Sequence, residues 1–173
     1  MKILGEKSLS SKVIVGLKLL FVLIACIDFI VLNVIIKSVR DIFIKINIQN
    51  NIFNLILAFS IILTGIIALL IIYQFIKIFK NLKKNLLFCQ ENSSSLNIVS
   101  NSCFVISILY LIISSIIIIN IIINGLVEEF ITYVLLFSMM FSVIFVVTGI
   151  GIKILNEIYM KAIDYKKEND FTV

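Results

Sequence analysis

The side chain with the clearest potential for chemistry in this sequence is the carboxyl group of Asp28. It is the one acid inside any of the four long apolar runs of the chain. A carboxylate at the bilayer centre costs roughly 2.5–3.5 kcal/mol on insertion scales, so such a residue is expected to face the interior of a helix bundle. Asp28 could serve as an ion or proton site, or as a polar contact between two helices. The sequence offers no basic partner at that depth and no proline-broken helix, which favours the polar contact.

The depth of Asp28 predicts which polar residues could bond it. Asp28 follows Val13, the start of its run, by fifteen residues, which is about 22 Å along a helix and in the outer third of the membrane. If successive helices alternate in direction, four polar residues lie at a similar depth: Ser60, Ser115, Asn120 and Ser138. Any of these could hydrogen-bond Asp28, and Ser115 and Asn120 complete the set of intramembrane polar candidates.

The residue types present do not indicate an enzyme. The chain has no His, which removes the commonest general base and a common metal ligand, and it has no close group of Cys, Asp or Glu. We therefore predict no catalytic residue, no metal site and no cofactor. The three cysteines, Cys26, Cys89 and Cys103, indicate neither a disulfide framework nor a metal cluster.

The elements that would position these residues are membrane helices. The 173 residues are 61% hydrophobic and 14% charged, and the mean hydropathy is +1.19, well outside the range of soluble domains. Four apolar runs, at 13–36, 52–76, 98–123 and 130–152, each reach the roughly 20 residues that a spanning helix needs. We predict an all-α protein, an integral membrane four-helix bundle, with residues 1–173 forming a single membrane domain.

The first run could also be read as a cleaved signal, because Leu23-Ile24-Ala25-Cys26 resembles a lipoprotein cleavage motif. Lys18 interrupts the apolar region before this motif, and the run continues for ten residues after Cys26. We therefore predict that the first run is retained as a membrane span.

The charges predict the orientation. The N-terminal tail, the middle loop and the C-terminal tail, with the nearby start of the first run, hold twelve Lys, whereas the opposite side holds three Lys or Arg. By the positive-inside rule both termini, the loop 77–97 and the tail 153–173 are cytoplasmic, in a multi-pass protein of a bacterial cytoplasmic membrane. Four loop lysines are expected to face anionic lipid: Lys77, Lys80, Lys83 and Lys84. The net charge of +5 then needs no direct contact with nucleic acid.

Helical periodicity extends past the membrane on this side. The second run continues as a basic amphipathic segment, and Asn92 with the three serines after it offers N-caps for a new helix. The fourth run continues with an apolar stripe, so helical cytoplasmic extensions are expected. Small residues recur at helical spacing in the third and fourth runs and predict a close-packed seam: Ser100, Ser107 and Ser114 in one, Ser138, Ser142 and Gly149 in the other. Gly149 and Gly151 also loosen the fourth helix, either as a hinge or as glycines that lipid tolerates.

Two short motifs resemble a bacterial membrane family called domain of unknown function 2975. The first is the loop sequence Lys83-Lys84-Asn85 followed by Phe88, Glu91, Asn92 and Leu96, and the second is the ending Glu168-Asn169-Asp170-Phe171-Thr172-Val173. The resemblance implies a four-helix membrane protein of this size. It also implies a gene beside that of a small helix-turn-helix transcriptional regulator, and hence that regulator as a partner.

Two function classes follow from these observations. The first is a membrane sensor or anchor for a small cytoplasmic transcriptional regulator, bound through loop and tail residues: Phe88, Glu91, Asn92, Glu168, Asn169, Asp170, Phe171, Thr172 and Val173. The alternative is a small transporter, an ion pathway or an antimicrobial-peptide immunity protein that uses Asp28. The tail could equally end a helix without binding anything, and a homo-oligomer is compatible with either class.

Overall fold

The computed structural model describes residues 9–44, 48–84, 86–124 and 129–171, which form four long helices. These are α1 (Leu9–Phe43), α2 (Ile48–Lys83), α3 (Gln90–Asn124) and α4 (Glu129–Phe171). Each helix contains a stretch that is long and apolar enough to cross a membrane. The prediction of an all-α, four-helix membrane fold is therefore confirmed, and the fold is consistent with a multi-pass membrane protein.

The helices are longer than the predicted spans. α2 continues to Lys83, and α4 runs for 43 residues to Phe171, about 65 Å and twice the thickness of a hydrocarbon core. Both predicted helical extensions are thus confirmed. α3 begins at Gln90, before Asn92, so Asn92 and the first serines lie within its opening turns instead of capping them. Their side chains are free to bond to neighbouring helices.

Consecutive helices pack as antiparallel neighbours in the order α1, α2, α3, α4. α1 packs on α2, α3 packs on α4, and a less extensive interface joins α2 to α3. Among the described residues α1 makes no close approach to α3 or α4. The molecule therefore consists of two helical hairpins, α1–α2 and α3–α4, placed side by side.

The α1–α2 hairpin is held by an apolar seam. Ile14 of α1 lies with Ile72 and Ile76 of α2 in a buried cluster, and four half-buried side chains complete it: Leu17, Phe21, Ile24 and Phe79. On each helix these residues follow the spacing of three and four that is typical of antiparallel coiled-coil packing. The seam keeps the two helices in register over several turns.

The α3–α4 hairpin is held by small polar residues, as predicted. The Ser100 hydroxyl donates to the Gly149 carbonyl oxygen at 2.8 Å, and the hydroxyl oxygens of Ser107 and Ser142 lie 2.9 Å apart. Ser114 and Ser138 form a third pair, with hydroxyl oxygens at 2.7 Å. Since all five serine side chains are buried, their hydroxyl groups find their hydrogen-bond partners inside the seam. The predicted seam of small residues is confirmed.

The loop between α2 and α3 and the C-terminal half of α4 lie at the same end of the molecule. Hydrogen bonds across this end join Asn81 of α2 to α3 and Asn156 of α4 to α3. The lysines at the end of α2 are here too, so we call it the lysine-rich end. The sequence predicts that it faces the cytoplasm, and this orientation stays a prediction.

Candidate functional site

A cluster of polar side chains joins three helices at the lysine-rich end. We call it the polar junction, and its members are Asn81 of α2, Glu91, Asn92 and Ser93 of α3, and Asn156 and Tyr159 of α4. Asn92 lies at its centre with only 1% of its surface exposed. A buried amide must have both its donor and its acceptor satisfied, and the surroundings of Asn92 do this.

The carboxamide of Asn92 bridges α2, the loop and α4. Its oxygen accepts a hydrogen bond from Asn81 Nδ2 at 2.8 Å. Its nitrogen lies 3.0 Å from the Tyr159 hydroxyl oxygen and 3.3 Å from the carbonyl oxygens of Leu86 and Leu87. One side chain therefore fixes the end of α2, the path of the loop and the start of the α4 extension.

Two further contacts complete the polar junction. The Ser93 hydroxyl donates to Asn156 Oδ1 at 2.8 Å, and the ring of Phe88 packs against that of Tyr159 with centroids 5.7 Å apart. Asn81 Nδ2 also lies 3.4 Å from a carboxylate oxygen of Glu91. The three predicted loop residues, Phe88, Glu91 and Asn92, thus all lie at the polar junction, but they differ in how far they are exposed.

Exposure separates the predicted loop residues into two groups. Phe88 and Glu91 are exposed, so each still presents a surface to a partner. Asn92 is buried, and its amide is already bonded within the chain. Its contacts therefore give Asn92 a structural role, which is to hold the loop in place. Sequence reasoning missed Asn81 and Tyr159. Asn81 stands among the lysines at the end of α2 and gave no signal of its own, whereas Tyr159 carries a hydroxyl group between two apolar residues.

The tail residues continue α4 as a single helix. Glu168 is exposed, Asn169, Asp170 and Phe171 form the last turn, and Thr172 and Val173 lie outside the described residues. The extension before them has exposed apolar side chains: Ile154, Leu155, Ile158 and Tyr165. Of the loop lysines, Lys80 and Lys84 are exposed, whereas Lys77 and Lys83 are half-buried.

Asp28 lies in the α1–α2 interface, where its carboxyl group packs directly on Gly65. A Cβ atom at position 65 would collide with the carboxylate, so a larger residue there would force the Asp28 side chain to shift. One carboxylate oxygen, Oδ2, is buried and has no hydrogen-bond partner. Gly65 follows the start of its predicted span by thirteen residues, about 20 Å, which places it near the middle of that span. Asp28 therefore lies level with the middle of the second predicted span.

The predicted partners of Asp28 bond elsewhere. The Ser60 hydroxyl donates to the Ile56 carbonyl oxygen, the Ser115 hydroxyl donates to a carbonyl of its own helix, and Ser138 pairs with Ser114. Asn120 and Ser115 lie on α3, which α1 does not approach among the described residues. Matching residues by depth was wrong here because it assumed a closed bundle, whereas α1 packs on α2 alone.

An aromatic cluster joins α3 to α4 near the middle of their predicted spans. The ring of Tyr110 stacks on Phe141 and Phe145 of α4, with centroids 5.7 Å and 6.1 Å apart. The hydroxyl of Thr64, which precedes Gly65 on α2, bonds within its own helix and lies 3.1 Å and 2.8 Å from the carbonyl oxygens of Ser60 and Ile61.

The described residues contain no group of three or more His, Cys, Asp or Glu side chains that could hold a metal ion. A family model described as "Protein of unknown function (DUF2975)" matches residues 16–173. The chain belongs to this family. The DUF2975 match includes both the Asp28–Gly65 contact and the polar junction, and it attaches no activity to either of them. Neither the curated proteins nor the solved structures include a match to the chain.

Proposed function

We propose that this DUF2975 protein is a membrane sensor or anchor that binds a small cytoplasmic regulatory protein at its lysine-rich end. The observation that carries the proposal is the apolar face of the α4 extension. Ile158 and Tyr165 are 60% and 67% exposed on this extension. They are seven residues apart and so lie on one face of the helix. Ile163, on the other side, is buried.

The bilayer does not account for the whole of this face. Tyr165 lies thirteen residues beyond position 152, where the predicted span ends, and thus about 20 Å further along the helix. A side chain at that distance along a helix near the membrane normal is outside the hydrocarbon core. Exposed apolar side chains in water favour association with another surface. The lipid can cover Ile154 and Leu155, and a protein partner would cover Tyr165.

The chemistry of the surface defines the partner. An apolar helix face is recognised by an amphipathic helix or a groove of complementary shape, and the exposed ring of Phe88 beside Tyr159 extends the surface toward the loop. The resemblance of the loop and tail motifs to the family implies a small helix-turn-helix regulator as the candidate. Sequestering such a regulator at the membrane would couple a membrane event to transcription.

Co-purification tests this proposal. The small helix-turn-helix regulator that the family resemblance implies is co-expressed with the protein, and the amount recovered is compared between the wild type and the double variant Ile158→Ala, Tyr165→Ala. Loss of an aromatic anchor costs about 2 kcal/mol or more, which corresponds to roughly a thirtyfold weaker Kd. Lys167→Ala, an exposed charge on the same turn, is the control and should retain binding.

A second comparison uses a chain that ends before Glu168, because the tail motif was predicted to bind the partner. Binding that is lost only with this chain would assign recognition to the tail, and binding lost only with the double variant would assign it to the apolar face. Equal recovery of the regulator by every form, or recovery by none of them, would contradict the docking role.

The buried, unpartnered Oδ2 of Asp28 is the observation that favours the alternative role in transport, ion conduction or peptide immunity. A transport role requires that Asp28→Asn abolishes flux in liposomes while leaving stability unchanged. A helix contact requires that Asp28→Asn is tolerated, and that Asp28→Leu destabilises the hairpin because its branched side chain meets Gly65. The two variants therefore distinguish a transport role of Asp28 from a role as a contact between helices.

A further inference from the structure

We propose that two copies of the chain form a parallel homodimer through α1, in which the carboxamides of the two Asn33 side chains hydrogen-bond to each other across a two-fold axis. This interface lies on a different helix from the apolar face of the α4 extension. The dimer and the binding of a regulator therefore stand or fall independently.

α1 is the helix with the least protein around it. Among the described helices it packs on α2 alone. An eighteen-residue apolar stretch of α1 contains no buried residue, whereas 28% of the corresponding stretch of α3 is buried. The side of α1 that faces away from α2 is therefore open to lipid or to a further protein chain.

Two stripes of residues, each with alternating spacings of three and four, run along two sides of α1. The first stripe packs on α2, and its members are Ile14, Leu17, Phe21, Ile24 and Asp28. The second, which we call the outer stripe, is exposed throughout, and its members are Val15, Leu19, Val22, Cys26, Phe29, Asn33 and Ile36. Because both stripes have the heptad spacing of coiled coils, α1 can pack on a second helix while it keeps its contact with α2.

The outer stripe is as long as the hydrocarbon core is thick. Val15 and Ile36 are 21 positions apart, which is about 32 Å along a helix, and the core is about 30 Å thick. The next position with the same spacing is Arg40, whose side chain is 68% exposed and marks the end of the stripe. A helix that packs on the outer stripe can thus follow α1 across the whole membrane.

The surface of α1 has a depression halfway along the outer stripe. It has a volume of about 390 Å³ and is lined by Phe21, Val22, Ala25, Cys26, Phe29 and Ile30. Ala25 and Cys26 have the smallest side chains of this group, and larger ones stand on either side of them. Small residues at such a point let a second helix approach closely.

Asn33 is the polar member of the outer stripe, and it lies at a level inside the hydrocarbon core. It follows Asp28 by five residues, about 8 Å along the helix, and Asp28 packs on Gly65 near the middle of the second predicted span. Half of the core is about 15 Å thick. The exposed carboxamide of Asn33 therefore faces hydrocarbon in a single copy of the chain.

The carboxamide of Asn33 has unused hydrogen-bonding capacity. Its nitrogen, Nδ2, donates to the Phe29 carbonyl oxygen of the same helix at 3.2 Å. The second N–H group and the carboxamide oxygen have no partner among the described residues. Hydrocarbon offers neither donor nor acceptor, so these groups cost free energy unless another protein chain meets them.

A second copy of Asn33 supplies the missing donor and acceptor. In a pair, each Nδ2 donates its second N–H to the carboxamide oxygen of the other copy, and each keeps its bond to Phe29. All copies of the chain have the same orientation in the membrane, so two α1 helices related by a two-fold axis run parallel and place Asn33 opposite Asn33.

The position of Asn33 within the heptad agrees with a parallel pair. In heptad notation, positions 19, 26 and 33 are a, and positions 15, 22, 29 and 36 are d. A single asparagine at an a position specifies the register and the number of strands of a parallel coiled coil. Asn33 would therefore select both the partner and the register of α1.

Energy transfer between two labelled populations tests the dimer. The full chain, carrying a donor or an acceptor fluorescent protein at its N-terminus, is mixed in lipid vesicles at decreasing protein-to-lipid ratios, which yields the dissociation constant in the membrane. Asn33→Leu removes the carboxamide and leaves an apolar side chain that lipid accepts. It should raise the dissociation constant about 5- to 30-fold, which corresponds to about 1–2 kcal/mol for interhelical hydrogen bonds.

Two further variants are matched to Asn33→Leu. Asn54→Leu makes the same change at an exposed asparagine of α2, outside the outer stripe, and should leave the dissociation constant unchanged. Asn33→Gln keeps a carboxamide at position 33, so it should weaken the dimer less than Asn33→Leu does. A greater loss with Asn33→Gln would contradict the hydrogen-bonded pair.

The thiol of Cys26 tests the geometry of the interface. Cys26 is exposed and belongs to the outer stripe, so the dimer places two of these thiols opposite each other. In a chain with Cys89→Ala and Cys103→Ala, a short bifunctional methanethiosulfonate should link two copies through Cys26. Adding Cys26→Ser and Ile27→Cys moves the thiol by one residue to another exposed position outside the stripe, and cross-linking should then be largely lost.

Energy transfer at the level of random proximity at every protein-to-lipid ratio would show that lipid covers α1, and would overturn the dimer. A dissociation constant unchanged by Asn33→Leu would overturn the pairing of the carboxamides, and equal cross-linking at positions 26 and 27 would overturn the outer stripe as the interface. A cross-link from Cys26 to a different protein in the native membrane would assign the stripe to that protein instead. Failure of the regulator to bind would contradict the proposed function alone and would leave all of these results as expected.

Discussion

The serine pair at the centre of the α3–α4 seam predicts an asymmetric response to alanine substitution. The Ser107 and Ser142 hydroxyl oxygens lie 2.9 Å apart, and the Ser142 hydroxyl also lies 3.2 Å from the carbonyl oxygen of Ser107. Ser107→Ala removes only the hydroxyl pair, because the backbone carbonyl at position 107 still accepts from Ser142. Ser142→Ala removes both contacts and leaves the buried Ser107 hydroxyl without its partner.

The magnitudes follow from these contacts. A hydrogen bond between membrane helices contributes about 0.6 kcal/mol on average and at most about 1.7 kcal/mol. Ser107→Ala should therefore lower the free energy of unfolding by about 0.5–1 kcal/mol. Ser142→Ala should cost about 1–2 kcal/mol, because the stranded Ser107 hydroxyl can recover part of its loss by bonding to a carbonyl of its own helix.

The control is Ser115→Ala. Ser115 is exposed and bonds only to the Leu111 carbonyl of its own helix, so this variant reports the higher helix propensity of alanine without an interhelical contact. The free energy of unfolding is measured by denaturant titration in mixed micelles for all three variants and for the Ser107/Ser142 double variant. Equal costs for Ser107→Ala and Ser142→Ala, after subtraction of the control, would refute the reasoning. An absence of coupling in the double-variant cycle would refute it as well.

Three other predictions concern the polar junction, the α4 glycines and the orientation. Asn92→Ala should lower the free energy of unfolding by about 2–4 kcal/mol, because several buried groups lose their partner, whereas Asn97→Ala should change it by less than about 0.5 kcal/mol in the same titration. Gly149→Ala should lower the free energy of unfolding by about 1–3 kcal/mol, because the added Cβ would press on two α3 side chains. At Gly151 an added Cβ meets open space, so Gly151→Ala should leave the free energy of unfolding unchanged or raise it by up to about 1 kcal/mol. A larger loss for Gly151→Ala than for Gly149→Ala would contradict the packing. A cysteine at exposed Ser94 should react with an impermeant reagent only from the cytoplasmic side of vesicles, and labelling from the outside would invert the predicted topology.

The membrane fold was predictable because apolar length is a local property of the sequence. Each run of 20 or more apolar residues must satisfy its own backbone in lipid, and a helix does so without reference to any other part of the chain. The α3–α4 seam was also predictable, since residues seven apart share a helix face and small polar residues favour close approach. The α4 extension followed from the continued periodicity beyond position 152.

The partners of individual polar residues were decided only by the tertiary structure. No signal in the sequence indicates that Asp28 packs on Gly65. The contact depends on α2 being the only described helix that packs closely on α1. Asn92 read as a helix cap or a binding residue, and it became the centre of the polar junction because α3 begins earlier, at Gln90. The sequence by itself determined which segments enter the membrane, through a free energy that each segment carries alone. The tertiary structure determined which side chains meet, because hydrogen bonds such as those from Asn92 to Asn81 and Tyr159 need the packing of three helices to bring them within reach.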